Sequence, residues 1–209
     1  MRLPNAEHEA HPWVISRIAP DFKLLDAWAL PVEGGPDDFT SFLETLGSFD
    51  PTTSGSIASR SLFWVRLRLG ALFGWDDPGK KRPIPGCSEM TLRDRVPEEL
   101  RDSAEDSQMV NEVLQQVAGG FRPLYRTDHE AAAEISNDTV HGVLHLGWLE
   151  QDEGRYRAQM GVYVKARGVF GEIYLKLIEP FRHYIVYPAL LRRIDRAWNG
   201  RRHSPVRGE

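Results

Sequence analysis

Residues 155–167 alternate between apolar and polar side chains almost without interruption, and this pattern constrains the fold more than any other feature of the chain. Only a β-strand has a side-chain period of two. One side of the predicted strand is apolar and carries Tyr156, Ala158, Met160, Val162 and Val164. Most strands contain only about five or six residues, so a strand of this length predicts a strongly twisted or curved sheet.

The segment that follows this strand is predicted to cover the sheet. Apolar residues recur at roughly helical spacing over residues 169–199, namely at Ile173, Leu177, Phe181, Ile185, Pro188, Leu191 and Trp198. We therefore expect an α+β fold in which a long C-terminal helix packs on a curved antiparallel sheet. This pairing suggests a cavity between helix and sheet, but the pattern does not identify the molecule that would fill it.

The length and composition fit a single globular domain. The chain has 209 residues, of which 41% are hydrophobic and 27% are charged, and this supports one ample core. We expect a flexible N-terminus over residues 1–12, one domain over residues 13–199 and a basic flexible tail over residues 200–209.

Composition also argues against several classes of function. A net charge of −4 and a pI near 6.0 disfavour nucleic-acid binding, which needs a basic face. Cys87 is the only cysteine, so no intramolecular disulfide can form. Residues 1–12 lack the apolar core of a secretory signal, and the apolar run over residues 62–75 is too short to cross a bilayer. We expect a cytoplasmic protein with neither a nucleic-acid partner nor membrane insertion, and the sequence does not indicate its oligomeric state.

Two helices are predicted before the strands of the C-terminal half. The first begins near Asp37 and runs to Gly47, with its apolar residues spaced three and four apart. The second covers about residues 57–73 and is apolar nearly all round, so we expect it to be largely buried.

The chain from residue 121 onward reads as a meander of four antiparallel strands, at about 121–127, 130–136, 139–150 and 155–167. A three-residue turn at 152–154 would set Gln151 opposite Arg155 and Trp148 opposite Ala158. A two-residue turn at 137–138 would set Gly142 opposite Ala133. Both turns predict the same continuous apolar face.

That apolar face carries small side chains at Ala131, Ala133, Gly142 and Ala158 among larger ones. Two interpretations stay open. The helix approaches the sheet more closely there, because protein interiors are close-packed. Alternatively, the small residues leave room for a pocket with apolar and aromatic walls.

The same register places two Glu–His pairs on the outer face of the sheet. Glu134 would face His141, which has Lys165 on its other side, and Glu130 would face His145. Two histidines four residues apart on a strand have Cα atoms about 13 Å apart, which is too far for one metal ion. We therefore expect a solvent-accessible ladder of charge pairs and no metal.

Asp26 is the best candidate for a functional polar residue. Its neighbours at even spacing on the first predicted strand are apolar, at Phe22, Leu24, Trp28 and Leu30. A carboxylate in that phase is buried and needs a partner, which Arg66 or Arg68 on the second helix would supply. The pair is then either a structural ion pair or the polar group of a pocket with a shifted pKa. If the opposite phase faces inward, Asp26 is a surface acid.

Four segments resemble one known family: DAWALP at residues 26–31, RTDHEAAAEISNDTVH at 126–141, VYVKARG at 162–168 and PFRHYIVYP at 180–188. They are similar to a bacterial family defined only as a domain of unknown function, of the DUF2867 type, which is sometimes appended to a short-chain reductase. The resemblance covers about residues 12–198. It implies a START-like helix-grip fold of the SRPBCC superfamily, whose members bind lipids, sterols, polyketides or plant hormones and in a minority of cases are enzymes.

We therefore expect a protein that binds a small apolar or amphipathic molecule, without a cofactor, between the sheet and the C-terminal helix. The sequence contains no Gly-x-Ser-x-Gly nucleophile elbow, no dinucleotide-binding Gly-x-Gly-x-x-Gly motif and no Walker loop. An enzyme of cyclase, dehydratase or isomerase type that uses Asp26, or an accessory module that docks on a reductase, is the alternative. The predicted ligand-binding residues are Asp26, Trp28, Arg68, Ala133, Gly142, Leu144, Trp148, Tyr156, Ala158 and Met160.

Overall fold

The chain folds around one antiparallel sheet. The computed structural model describes residues 1–47, 82–101 and 121–203. Six strands lie in the order β1-β2-β6-β5-β4-β3, and every neighbouring pair is antiparallel. The α+β class with a C-terminal helical layer is confirmed. The strands are β1 Arg2–Leu3, β2 Lys23–Gly34, β3 Arg122–Arg126, β4 Glu130–Ser136, β5 Val140–Asp152 and β6 Arg155–Ala166.

Helices occupy both ends of the described chain. The α-helices are α1 Asn5–Glu9, α2 Val14–Ile18, α3 Phe39–Gly47, α4 Glu98–Arg101, α5 Gly168–Leu177, α6 Glu179–Phe181 and α7 Tyr187–His203. Short 3-10 turns span Pro36–Asp38 and Leu92–Arg95, and a π-helical turn spans Arg182–Val186. The predicted helix over 57–73, with Arg66 and Arg68, lies outside the described residues, as does the end of the predicted tail from residue 204 onward.

The β5–β6 hairpin confirms the predicted pairing of Trp148 with Ala158. Its turn, however, contains two residues rather than three, because Glu153 and Gly154 both adopt positive φ angles of 50° and 75°. An irregularity between Glu150 and Asp152 restores the register, so that Asp152 rather than Gln151 faces Arg155.

The β4–β5 register differs from the prediction by two residues. Ala133 faces Leu144 rather than Gly142, and Gly142 faces Ile135. The turn lies one residue later than expected because the Asn137 side chain accepts hydrogen bonds from the backbone N–H groups of Thr139 and Val140. A shift of two residues keeps every side chain on its own face, so the continuous apolar face survives the error.

A register shift in β2 between Leu24 and Asp26 changes which face its side chains occupy. Asp26 lies on the same face as Trp28 and Leu30, as predicted, whereas Phe22 and Leu24 belong to the hydrophobic cluster on the other face. The prediction of a single phase from Phe22 to Leu30 is therefore only half right. Both faces of the sheet are buried, so Asp26 would have been covered in either strand phase.

Helices α3 and α7 cover the inner face of the sheet. Phe39 and Phe42 of α3 reach the small residues of the sheet, and the Phe42 ring stacks on Trp148 with centroids 6.1 Å apart. The predicted helix over residues 37–47 is confirmed, although Asp38 rather than Asp37 accepts the capping hydrogen bond from the Gly35 N–H. Close packing fills the space above Ala131, Ala133 and Ala158, as in the first of the two interpretations.

The C-terminal helical segment buries Trp198 as predicted, but its other fully buried residues differ from the predicted ones. Ile173 and Leu177 are exposed, at 59% and 74%, and Ile185 is exposed as well. The buried side chains are instead Tyr174, Tyr187, Ile194 and Trp198. The π-helical turn inserts an extra residue into the helical repeat, so no single 3.6-residue stripe runs through the whole segment.

The outer face of the sheet is covered by the N-terminal segment and by residues 84–96. Ile15, Ile18, Ile84 and Leu92 are buried against it. Residues 1–12, predicted as flexible, instead contribute β1 to the sheet and bury His8 completely. The outer face is thus a second core.

Two glycines make room for this N-terminal cover. A Cβ atom on Gly147 would lie 2.6 Å from the Trp13 ring, and one on Gly161 would lie 2.6 Å from Nε2 of His8. Only glycine therefore lets both rings lie directly on the strands.

Candidate functional site

The most concentrated group of polar side chains on the inner face surrounds Asp26, which is fully buried. Nε2 of His183 lies 2.5 Å from one carboxylate oxygen. The Tyr187 hydroxyl donates to the other oxygen at 2.8 Å, and Nε of Arg182 donates to it at 3.1 Å. A second guanidinium, that of Arg2, lies 3.9 Å away.

The local helix geometry brings these donors together. Arg182 and His183 begin the π-helical turn, and Tyr187 follows it directly as the first residue of α7. The wider turn places residues five apart on the same side, so Arg182 and Tyr187 both reach one carboxylate oxygen. Single π-helical turns occur frequently at functional sites, because they place side chains where a regular α-helix would not.

The hydrogen bonds keep Asp26 ionised despite its burial. Burial alone would raise the pKa of the carboxyl group, but hydrogen bonds from His183 and Tyr187 and the charge of Arg182 lower it below its ordinary value. Burial, with the adjacent Asp26 carboxylate, raises the pKa of Tyr187. At neutral pH the site is therefore a carboxylate held by a neutral phenol, an imidazole and a guanidinium.

Trp28 adds a hydrogen-bond donor to this site. Its ring centroid lies 5.0 Å from that of Tyr187 and 6.2 Å from that of His183. The indole N–H is buried and makes no hydrogen bond to any residue that the structure describes. Buried donors without partners are rare in folded proteins, so this one needs an explanation.

Apolar residues continue across the sheet from Asp26. Val162 on β6 pairs with Asp26, and Leu144 on β5 pairs with Val162. Both are only half-buried, as is Ile135 on β4 on the same face. The site therefore has a buried polar end and an apolar strip that is partly open to solvent.

The sequence profile of one family, described as Protein of unknown function (DUF2867), matches residues 18–189. The chain belongs to this family. The matched range includes Asp26, Arg182, His183 and Tyr187, together with β2 to β6. Neither the curated proteins nor the solved structures contain a match to this DUF2867 chain.

The structure separates the predicted ligand-binding residues of the DUF2867 chain into two groups. Asp26, Trp28 and Leu144 lie at the polar site and its apolar strip, and Met160 pairs with Trp28. Ala133 and Gly142 border the apolar strip, because they pair with Leu144 and Ile135. Trp148 and Ala158 lie in the hydrophobic core elsewhere on the inner face, and Tyr156 lies beside Trp148. Arg68 lies outside the described residues.

Sequence analysis missed three residues of this site, Arg182, His183 and Tyr187. A signal for two of them exists, because Arg182 and His183 interrupt an otherwise apolar and aromatic pattern within residues 180–188. The pattern was assigned to a regular helix, which would not bring Arg182 and Tyr187 to the same atom. The predicted partners of Asp26, Arg66 and Arg68, lie outside the described residues.

The outer-face histidines are buried, which contradicts the prediction that they are solvent-accessible. His141 contacts Glu134 at 2.9 Å and His145 contacts Glu130 at 3.0 Å, so both predicted pairs form, although diagonally in the register. They are buried because the N-terminal segment and residues 84–96 cover this face.

Each glutamate holds one covering segment in place. Glu130 accepts hydrogen bonds from the Val14 N–H and the Tyr125 hydroxyl. Glu134 accepts them from the Thr91 hydroxyl and the Leu92 N–H. These bonds, with those from the histidines, lower the pKa of both glutamates against the opposing effect of burial. The two pairs therefore attach chain segments to the sheet.

The described part of the chain contains no group of three or more His, Cys, Asp or Glu side chains that could hold a metal ion. Nor is any helix within those ranges long and apolar enough to cross a membrane.

Proposed function

We propose that the protein binds a small apolar or amphipathic molecule on the inner face of the sheet, and that its fold is a START-like helix grip. The ligand's polar end would lie at the Asp26 site and its apolar body along Val162 and Leu144. An open antiparallel sheet with a C-terminal helical layer is consistent with this architecture. Proteins of the START-like superfamily that the sequence resembles bind lipids, sterols or polyketides.

The observation that carries the proposal is the direct continuity between a buried polar cluster and half-buried apolar side chains. Asp26 and Val162 are paired residues on adjacent strands, and Leu144 is next in the same row. Ligand sites combine mainly apolar walls with a few placed polar groups, and this row has that composition.

Native mass spectrometry of freshly purified protein tests the proposal directly. We expect a co-purified molecule, or one to one binding of a compound from a panel of fatty acids, sterols and aromatic polyketides. Leu144→Gln should weaken that binding at least tenfold because it places an amide in the apolar strip.

Leu149→Gln is the matched control, because Leu149 is a half-buried leucine of the same strand that packs on the outer face. It should leave the affinity unchanged. Equal affinities in wild type and both variants, or an empty protein that ignores the whole panel, would exclude this site.

The contact between Asp26 and His183 favours a second candidate, an isomerase, dehydratase or cyclase. A carboxylate that holds one imidazole nitrogen orients the ring as a general base, and His183 retains 14% side-chain exposure. Native mass spectrometry would then find a substrate and product mixture rather than one unmodified ligand. His183→Gln should abolish turnover of that substrate while retaining its binding.

A further inference from the structure

We infer that the ligand of this site is a neutral, largely apolar molecule that presents a carbonyl oxygen to the indole N–H of Trp28. This inference rests on the proposed function, since it specifies the chemistry of the molecule that the same site would bind. Two observations support it. The Trp28 indole N–H lacks a hydrogen-bond partner among the described residues, and the Asp26 carboxylate already has three.

Trp28 supplies the donor. The residue is 9% exposed, and its Nε1 atom is buried without a hydrogen bond. Two of its neighbours on the inner face carry no side-chain oxygen: Leu30 follows it on β2, and Met160 is its partner on β6. An indole N–H only donates, so what would satisfy it is a hydrogen-bond acceptor.

Trp28 is unusual among the inner-face tryptophans in this respect. Nε1 of Trp148 donates to the Gly35 carbonyl at 3.0 Å, and Nε1 of Trp198 donates to the Glu33 carbonyl at 3.2 Å. Both of those rings are anchored by backbone oxygens of the chain itself. The unpaired indole is the one that lies beside the polar site.

Asp26 argues against a ligand that donates hydrogen bonds or carries positive charge. Its two oxygens already accept from His183, Tyr187 and Arg182. An alcohol or amine would have to compete with three donors already bound to this carboxylate, and any donor that it displaced would be left buried and unpaired.

The same carboxylate argues against an anionic ligand. The charge of Asp26 is balanced by the adjacent Arg182, whose Nη1 also donates to the Leu175 carbonyl. The second guanidinium, that of Arg2, already lies 3.9 Å from Asp26 and is half-exposed to water. A ligand carboxylate would add a second negative charge beside Asp26 and would lose its own hydration. A ketone or ester oxygen accepts a hydrogen bond without either cost.

Four compounds with the same ten-carbon chain test this chemistry: 2-decanone, decane, decanoate and decylamine. We expect 2-decanone to bind about three- to tenfold more tightly than decane, which is the effect of one net hydrogen bond, and decanoate and decylamine to bind more weakly than the ketone. Trp28→Phe removes the donor and keeps an aromatic ring. It should therefore abolish the preference for the ketone over decane.

Trp198→Phe is the control, because it removes an indole N–H that already has a partner on the inner face. It should keep the ketone preference. As a readout that needs no variant, the indole ¹H–¹⁵N resonance of Trp28 should move downfield on addition of 2-decanone and not on addition of decane.

A preference for decanoate or decylamine, equal affinities for ketone and alkane, or a preference that survives Trp28→Phe would overturn the inference. In each of those cases the chain still binds an apolar molecule, so the proposed function stands. If all four compounds fail to bind while a fatty acid or sterol binds, the inference alone is wrong. If nothing in either set binds, both are wrong.

Discussion

Asp26 is fully buried and joins the helical layer to the sheet through three hydrogen bonds. Asp26→Asn keeps the shape of the side chain but removes the charge that Arg182 balances. A buried ion pair that loses one partner leaves the other charge uncompensated. We therefore expect the free energy of unfolding to fall by about 3 kcal/mol, measured from urea denaturation midpoints.

Glu44→Gln provides the comparison for this prediction. Glu44 pairs with Arg201 at 2.5 Å, but both side chains are substantially exposed. Loss of this ion pair should lower the free energy of unfolding by less than about 1 kcal/mol. Similar effects of the two substitutions would mean that the Asp26 cluster does not anchor α7.

His8 predicts a pH dependence of stability above the range where carboxylates titrate. Burial, with a smaller contribution from His145, lowers the pKa of His8 from its ordinary 6.5 to about 4. Between these values the unfolded chain binds a proton that the folded chain does not, so stability falls as pH falls through this range. Between a pH above 6.5 and a pH below 4, the free energy of unfolding should fall by roughly 3 kcal/mol through His8.

Urea midpoints measured from pH 7 to about pH 5.5 report this slope. Above about pH 5.5 the lowered pKa values of Asp26, Glu130 and Glu134 contribute little, because these carboxyl groups are almost fully ionised in the unfolded as well as the folded chain. His8→Gln should flatten the slope in this range even if it lowers stability throughout. An unchanged slope would show that the buried imidazole is not its source.

The contacts of single residues show where sequence reasoning stops. The burial of Asp26 could be predicted from its apolar neighbours Trp28 and Leu30. Its true partners could not, because they lie more than 150 residues away and depend on a π-helical turn. The burial of His141 was missed since the segments that cover it, residues 1–22 and 84–96, carry no long periodic pattern.

Strands β5 and β6 receive the N-terminal segment only because glycines leave space for it. Gly147→Ala would place a Cβ atom 2.6 Å from the rigid Trp13 ring, which also donates its indole N–H to the His8 carbonyl. We expect a loss of roughly 1–3 kcal/mol from this overpacking, measured by thermal or urea unfolding. The amide protons of residues 13–18 should also exchange faster.

Gly200→Ala is the natural contrast, because a Cβ atom at Gly200 of α7 meets nothing within 4 Å. It should raise stability by up to about 1 kcal/mol through helix propensity alone. Destabilisation by both substitutions, to a similar degree, would point to a general intolerance of β-carbons rather than to contact with Trp13.

The strands themselves were largely predictable, and their turns were not. Alternation identified β4, β5 and β6 within a few residues, because side-chain period depends only on local sequence. The positions of the turns depend on side-chain capping by Asn137 and on the left-handed conformation of Glu153. Neither register error changed the face to which a side chain was assigned. The β4–β5 error was a shift of two residues, and in β5–β6 an irregularity between Glu150 and Asp152 compensated for the shorter turn.

The sheet has a hydrophobic core on each face, and the inner core is closely packed above Ala158. Ala158 is completely buried and faces Trp148, which stacks on Phe42. Ala158→Leu should therefore overpack the core and lower the free energy of unfolding by about 1–3 kcal/mol, measured by urea denaturation.

Ala10→Leu serves as the control, because Ala10 is exposed. It should change stability by less than about 0.5 kcal/mol. Full stability of Ala158→Leu would show that the core above Ala158 has unfilled space, and would return that position to the ligand site.

The strand order has a consequence for how the chain reaches its native state. β2 is complete by residue 34. Its partner β6, however, is the last strand of the described chain to be synthesised. On the ribosome, the apolar β2 can pair with the two residues of β1, but it must wait for most of the polypeptide before it can pair with β6. Such distant pairing slows folding and leaves an aggregation-prone strand unprotected in the meantime. The β3–β6 meander should fold first. Until β6 is in place, β2 should depend on protection by chaperones.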